Sequence, residues 1–131
     1  MKIKLTSVMV EDQARALEFY TKLLGFTKKQ DFPVGEYRWI TVVAAGRDDL
    51  ELVLEPNANA AAKVFQKAMF DQGIPLASFE VENLEAEFTR LKAAGAAFTQ
   101  PPTQQGPVAT AVLSDTCGNL IMLYQPPKAA G

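Results

Sequence analysis

The chain has 131 residues, 48% of them hydrophobic and 21% charged, with a formal net charge of −2. This length suits a single domain with a substantial core, and this composition argues against a disordered chain. There is no basic run, and no apolar stretch approaches the ~20 residues that cross a bilayer, so neither nucleic acid nor a membrane is an expected partner.

The first half of the chain predicts one helix among four strands. Alternating hydrophobicity and β-branched residues predict strands at 3–10, 26–32, 37–44 and 49–55. Asp12 is a suitable N-cap for a helix over 13–24, whose apolar residues recur at helical spacing and which stops at Gly25. Residues 1–56 are therefore predicted to form a β-α-β-β-β module.

An alanine-rich segment, residues 57–73, predicts a helical connector. Its N-cap is Asn57 or Asn59, and Gly73 ends it. Its apolar stripe consists of Val64, Phe65, Ala68 and Met69. Such a stripe packs either in a core or against another subunit.

Residues 74–126 repeat the order of the first module. Strands are predicted at 74–82, 96–100, 108–114 and 119–125. Asn83 caps a helix that ends at Gly95. The proline-rich segment 101–107 is predicted to be a loop, which either closes over the site or stiffly joins two strands. Residues 127–131 form a frayed tail, so the whole chain, 1–131, is one domain of two modules.

Two parts of the chain, 71 residues apart, resemble each other. Val10-Glu11-Asp12 precedes the first helix and Val81-Glu82-Asn83 precedes the second. Gly25-Phe26 follows the first helix, and Gly95 follows the second. A repeat of this kind predicts two copies of one supersecondary unit that face each other across a cleft.

These residues carry a resemblance to a known superfamily. Val10-x-Asp12, Phe19-Tyr20 and Leu24-Gly25-Phe26 resemble the first βα unit of the vicinal oxygen chelate superfamily. This group contains glyoxalase I, the bleomycin-resistance proteins and the extradiol dioxygenases. Val81-x-Asn83 matches the same unit again, and Asp115-x-x-Gly118-Asn119 resembles the family's last hairpin.

The resemblance implies an α+β fold in which two βαβββ modules form a cup-shaped, mostly antiparallel sheet. It also implies a homodimer, with the cup built within one chain or across two. In metal-dependent members the ligands are typically His, Gln or Glu from the inner faces of the first and last strands of each module. On this chain those four positions fall on Leu5, Glu51, Leu76 and Met122.

Three of these four positions are apolar, so the family's metal site is predicted to be absent. A Zn, Ni, Fe or Mn centre needs several nitrogen or oxygen ligands, and the chain has no histidine. A register slip of one or two residues would bring in Ser7, Ser78 and Glu80, which still form a poor set. We therefore expect no cofactor, with a divalent metal as the alternative.

Glu51 is the candidate catalytic residue. It lies in the run Leu50-Glu51-Leu52-Val53-Leu54, so it points into the cup if the leucines pack on the helices. Burial in an apolar cup raises the pKa of a carboxyl group, which could then act as a general base at neutral pH. The alternative is a carboxylate that is solvated or paired with Arg38 or another cation.

Aromatic, apolar and hydroxyl side chains complete the predicted ligand pocket. Trp39 shares a strand face with Tyr37 and Thr41, and either stacks on a flat ligand or packs in the core. Tyr124 directs its hydroxyl either to a ligand or to solvent. The predicted pocket consists of Leu5, Ser7, Met9, Trp39, Glu51, Leu76, Ser78, Met122 and Tyr124.

Cys117 is the single cysteine, so no internal disulfide can form. With an N-terminus that lacks a signal-peptide layout, this indicates a reducing cytoplasm. The thiol lies in a predicted turn and could be exposed, but no basic neighbour in sequence lowers its pKa for nucleophilic chemistry. The absence of histidine also excludes Ser-His-Asp and Cys-His pairs as usually built.

Three functions are compatible with these residues. The first is a small-molecule binding protein, like the bleomycin-resistance branch, that holds an apolar or aromatic compound without a metal. The second is an enzyme of the lyase, isomerase or dioxygenase class that uses Glu51 as a general base or a lone metal ligand. The third is a structural or regulatory dimer with a vestigial cup.

Overall fold

The computed structural model of the protein describes residues 1–127. Its strands are β1 (Leu5–Val10), β2 (Thr27–Val34), β3 (Tyr37–Val43), β4 (Glu51–Pro56), β5 (Ala77–Glu80), β6 (Phe98–Gln105), β7 (Val108–Ser114) and β8 (Leu120–Gln125). Its helices are α1 (Gln13–Glu18), α2 (Ala60–Asp71) and α3 (Leu84–Ala93), and α1 continues as a π-helical turn over Phe19–Leu23. Of the predicted tail 127–131, all but Pro127 lies outside the described residues.

The strands form two four-stranded sheets, in the orders β1-β4-β3-β2 and β5-β8-β7-β6. In each sheet the first and last strands of the module are parallel neighbours, and the other pairs are antiparallel. Within residues 1–127, no strand of one sheet pairs with a strand of the other. The predicted α+β architecture of two βαβββ modules is confirmed, and each module has its own sheet.

The repeated tripeptides begin the helices as predicted. The Asp12 side chain accepts a hydrogen bond from the Arg15 backbone N–H at 2.9 Å, and the Asn83 side chain accepts one from Ala86 at 3.0 Å. Asn59, the third cap, accepts from the Ala61 backbone N–H at 2.8 Å, which settles the choice between the two asparagines before α2. Each contact satisfies a backbone donor that has no partner within the helix.

The helix-side faces of both sheets share one apolar core. Tyr20 lies at its centre, with its ring 6.2 Å from that of Phe79 in an edge-on arrangement and 6.5 Å from that of Phe26. Buried members of this core from both modules include Val8, Val10, Ala16, Ile40, Leu54, Leu84, Leu91, Leu113 and Ile121. The opposite side of each sheet, which we call its cup face, therefore points away from the shared core.

Buried polar groups fasten the β7–β8 turn to the first module. The Tyr20 hydroxyl donates to Asp115 Oδ2 at 2.7 Å, and Asn119 Nδ2 donates to the Met9 carbonyl at 2.7 Å. Gln66 of α2 donates to Asn119 Oδ1 at 3.0 Å. These contacts give the Asp-x-x-Gly-Asn pattern a structural explanation. Burial, followed by the nearby Asp115 carboxylate, raises the pKa of Tyr20 far above its usual value of 10.

Two sequence predictions differ from the structure, and in a third the structure excludes one of the two alternatives left open. The segment 101–107 is mostly strand, because β6 lies at a sheet edge, where proline does not remove a needed donor. Cys117 is buried instead of exposed, because its turn folds over the end of β1 and its thiol donates to the Asp12 carbonyl at 3.6 Å. Val64 and Phe65 of α2 are 71% and 56% exposed, so this stripe is not part of the core.

Candidate functional site

The first cup face gathers five of the predicted pocket residues. The parallel β1–β4 ladder pairs Leu5 with Glu51, and two steps on it pairs Ser7 with Val53 and Met9 with Glu55. The β3 residue Thr41 lies opposite Val53, and Trp39 follows on the same face, opposite Phe32 of β2. Residues that pair across neighbouring strands project to the same side of a sheet. Leu5, Ser7, Met9, Trp39 and Glu51 therefore lie on one surface.

Three more of the predicted pocket residues lie on the second cup face. The β5–β8 ladder pairs Ser78 with Met122 and Glu80 with Tyr124, so Ser78, Met122 and Tyr124 share one side of their sheet. Leu76 lies just before β5, and its backbone N–H donates to the Leu120 carbonyl at 2.9 Å.

The interval between equivalent residues of the two modules is not constant along the chain. A constant interval of 71 residues would place Leu76 opposite Met122, as Leu5 lies opposite Glu51. Instead, Leu76 lies beside Leu120, and Met122 lies opposite Ser78. The segment between β3 and β4, residues 44–50, is two residues longer than the segment 115–119 between β7 and β8. The structural counterpart of Glu51 is therefore Leu120, 69 residues on.

The cavities of the chain bring together only part of the predicted pocket. A cavity of about 430 Å³ between the modules is lined by Ser7, Leu76 and Ser78, with Phe26 and Phe79 among its apolar walls. Two others, of about 690 Å³ beside α2 and about 410 Å³ beside α3, contain none of the predicted pocket residues. Glu51, Trp39, Met122 and Tyr124 line none of these three and lie on the open cup faces.

Glu51 is buried, and both of its carboxylate oxygens have partners. Oε1 accepts a hydrogen bond from the Thr41 hydroxyl at 2.8 Å, and Oε2 lies 3.5 Å from the Lys29 ammonium. Arg38, the cation predicted as a possible partner, instead binds Asp31 through two hydrogen bonds of 3.0 and 2.6 Å. Hydrogen bonding from Arg38, and then its charge, lower the pKa of Asp31 in turn.

Lys29 reaches Glu51 because of a β-bulge in β2. The β2–β3 ladder pairs Lys28 with Val42 and Gln30 with Thr41, so Lys29 is an extra residue without a partner. A bulge re-aims side chains and breaks the strict alternation of faces. As a result, Lys29 and Gln30, although adjacent in sequence, both contact groups of the cup face. Sequence alternation alone could not reveal this, and the charge of Lys29 was the one available signal.

Trp39 lies on the cup face and is only partly buried. Its indole N–H donates to Gln30 Oε1 at 2.5 Å, which fixes the orientation of the ring. Phe32, opposite it on β2, is 49% exposed, and Leu5, beside Glu51 at the other end of the face, is 50% exposed. The first cup face thus presents an aromatic pair at one end and an exposed leucine beside the buried Glu51 at the other.

The donor set on the cup faces does not fit the divalent metal of the family. Glu51 is already paired with an ammonium group, and the three equivalent positions in the structure are Leu5, Leu76 and Leu120, the last in place of the predicted Met122. Among residues 1–127, no group of three or more His, Cys, Asp or Glu side chains is placed to hold a metal ion. Burial also raises the pKa of the Cys117 thiol, which disfavours the thiolate.

Comparison with known proteins identifies the family. The model of the glyoxalase/bleomycin resistance protein/dioxygenase superfamily matches residues 2–123. The chain belongs to this superfamily. It is 52% identical over 126 residues to YurT, an uncharacterized Bacillus subtilis (strain 168) protein, covering 95% of this chain and 99% of YurT.

Solved structures of similar proteins share the fold. UcmS2 is 30% identical with a TM-score of 0.82, over 95% of this chain and 97% of its own. TnmS3, an antibiotic binding protein from Streptomyces sp. CB03234, is 28% identical with a TM-score of 0.74, over 96% of both chains. In the part of the protein that the structure describes, no helix is long and apolar enough to cross a membrane.

Proposed function

We propose that this protein binds a small, largely apolar or aromatic molecule on its cup surface without a metal ion. The exposed apolar side chains of the first cup face carry the proposal, since Phe32 and the partly buried Trp39 lie opposite each other on neighbouring strands and Leu5 is exposed beside Glu51 on the same face. Contiguous apolar patches on soluble proteins mark sites of interaction. The similarity to TnmS3, an antibiotic binding protein, supports a small molecule as the partner.

The absence of a metal is proposed from the chemistry of Glu51. A divalent ion at this carboxylate would have to displace the Lys29 ammonium, which lies 3.5 Å away. It would then find only leucine side chains at the remaining ligand positions, and these do not bind hard or borderline cations. The same engagement of both carboxylate oxygens disfavours Glu51 as a free general base.

A second copy of the chain is proposed to complete the cup. Within one chain each cup face lies on the side of its sheet away from the shared core, and apart from Ser7, Leu76 and Ser78, which line the cavity between the modules, its predicted pocket residues lie on an open surface. Pairing the first face of one copy with the second face of another would enclose a ligand from both sides, as binding pockets usually do. The homodimer would have two equivalent cups.

Since the one cysteine is buried and unpaired, we propose the cytoplasm as the compartment of this protein.

Binding can be measured with the intrinsic fluorescence of Trp39, the only tryptophan of the chain. The probe is N-phenyl-1-naphthylamine, an uncharged aromatic compound that absorbs tryptophan emission. We expect saturable quenching of Trp39, weakened by Phe32→Ser. The matched control is Phe65→Ser, which removes an exposed aromatic ring from the α2 stripe and should leave the affinity unchanged. Absence of saturable quenching, or equal weakening by both variants, would overturn the proposed site.

A further inference from the structure

The bulge in β2 turns two hydrogen-bond donors that are adjacent in sequence toward the first cup face. Lys29 and Gln30 both point to this face, where Lys29 contacts Glu51 and Gln30 contacts Trp39. The preceding residue, Lys28, instead contacts Asp31, the partner of Arg38. The bulge therefore separates two lysines, adjacent in sequence, into different surroundings.

The acceptors of this group are occupied, whereas several of its donors are free. Glu51 accepts from Thr41 and Lys29, and Gln30 Oε1 accepts from the Trp39 indole. Lys29 has three ammonium hydrogens and two acceptors, Glu51 Oε2 and the Asp48 carbonyl at 3.4 Å. Within residues 1–127, the side-chain N–H groups of Gln30 donate to no protein acceptor. The group thus has spare donors for an external acceptor.

Exposure assigns different roles to the two members of the ion pair. The Lys29 side chain is 32% exposed, whereas that of Glu51 is 9% exposed. Glu51 lies behind the ammonium and holds it in place, and Lys29 is the member that an incoming molecule can touch. A ligand that lies flat against Trp39 would have its edge beside the amide of Gln30, which holds the indole N–H.

We propose that Lys29 and Gln30 bind an acidic oxygen of the ligand, so that the ligand class is an aromatic or apolar molecule that carries a carboxylate, sulfonate or phenolate. This inference rests on the proposed binding function and narrows its ligand class. Charge-assisted hydrogen bonds to an anionic oxygen are stronger than neutral ones, and a partly enclosed apolar surface strengthens them further. The indole and the Phe32 ring opposite it supply the apolar contact, and the two donors supply the orientation.

The second module lacks this arrangement, although its β6 strand has a bulge at the corresponding place. The β6–β7 ladder pairs Phe98 with Leu113 and Gln100 with Val112, which leaves Thr99 as the extra residue. The Gln100 amide donates to Thr110 of its own sheet at 3.3 Å. The counterpart of Glu51 is Leu120, so neither a cation nor its carboxylate partner is present.

Two probes with one aromatic skeleton test this inference on the full chain. 8-Anilinonaphthalene-1-sulfonate is N-phenyl-1-naphthylamine with an added sulfonate, and both quench tryptophan. Lys29→Met should weaken the sulfonate probe about tenfold and leave the uncharged probe unchanged. Lys28→Met is the matched control, because it removes the same charge one residue away, beside Asp31. Gln30→Glu keeps an acceptor for Trp39 but replaces the free donors, and should also weaken only the sulfonate probe.

Each result is decisive. If Lys28→Met and Lys29→Met weaken binding of the sulfonate probe equally, the affinity depends only on the net charge of the protein, and the inference is overturned. Loss of both probes in Lys29→Met, or equal native affinity for both, would also overturn it, since neither indicates recognition of the acidic oxygen. If Lys29→Met does not fold, Gln30→Glu decides by comparison with Lys28→Met, which changes the net charge by the same amount, and equal weakening by these two variants overturns the inference. Failure of the binding function itself looks different, because then neither probe quenches Trp39 in the native protein.

Discussion

Removing the Tyr20 hydroxyl tests the contact that joins the two modules. Tyr20 and Asp115 are both fully buried, and their side chains form a 2.7 Å hydrogen bond between positions far apart in sequence. Tyr20→Phe keeps the ring that packs on Phe26 and Phe79 and removes only the donor. Asp115 Oδ2 still accepts a hydrogen bond from Asn119 Nδ2 at 2.7 Å, so the buried carboxylate oxygen keeps a partner.

The size of the effect follows from these contacts. Hydrogen bonds to charged groups contribute roughly 1.5–3 kcal/mol, and with one donor remaining we expect a loss of about 2 kcal/mol in the free energy of unfolding. An unfolding entropy of roughly 2.1 cal/mol/K per residue gives about 0.28 kcal/mol/K for the whole chain. The melting temperature should therefore fall by about 7 °C.

Thermal and urea denaturation followed by circular dichroism measure this loss. Tyr37→Phe is the matched control, since it makes the same chemical change on a side chain that is 40% exposed, and it should shift the melting temperature by less than about 2 °C. Equal shifts in the two variants would refute the reasoning, because the loss would then not depend on the buried contact with Asp115.

Three further outcomes are expected. The raised pKa of Tyr20 predicts that its contribution to stability is present below pH 10, the usual pKa of the unfolded side chain, and is lost as pH rises above it, so alkaline unfolding should be shallower in Tyr20→Phe. Gly118→Ala should destabilise the protein by at least ~1 kcal/mol more than Gly46→Ala. Both glycines have positive φ, but a Cβ at Gly118 would lie 2.9 Å from the buried Gln66 side chain, whereas one at Gly46 would meet no atom within 4 Å. Protein purified without chelators should contain well below one divalent metal ion per chain, and stoichiometric metal that is lost in Glu51→Gln would contradict the metal-free proposal.

The local signals in the sequence predicted most of the fold. Asp12 and Asn83 cap helices through short-range contacts of their own side chains, so their roles follow from the adjacent sequence. Alternation within each strand likewise placed Leu5 and Met9, or Tyr37 and Trp39, on common faces. Such predictions depend on neighbours within a few residues, which a single sequence contains.

The features that were not predicted depend on pairing between distant segments. Lys29 enters the site through a bulge, which exists only as a mismatch between β2 and β3. Met122 is not the structural counterpart of Glu51, because the segment before β8 is two residues shorter than the segment before β4. This difference shifts the register of the last strand. Cys117 is buried by the end of β1, more than a hundred residues earlier in the chain. Composition and periodicity within one segment carry no information about these contacts.

The bulge occurs in both modules, whereas the Lys29–Glu51 ion pair occurs only in the first. A lysine placed at the second bulge therefore tests whether the backbone or the carboxylate positions the ammonium group. Thr99→Lys introduces a lysine at the second bulge, on an exposed residue. If the bulge alone oriented Lys29, the variant would gain a second sulfonate site. If Glu51 is needed to hold the ammonium, a lysine at position 99 has no carboxylate partner, since the counterpart of Glu51 is Leu120, and it remains a solvated surface charge. Since Glu51 is buried behind Lys29, we expect one molecule of 8-anilinonaphthalene-1-sulfonate per chain in both proteins, measured by calorimetric titration. A second site of similar affinity in Thr99→Lys would show that the bulge suffices and that Glu51 does not position the cation.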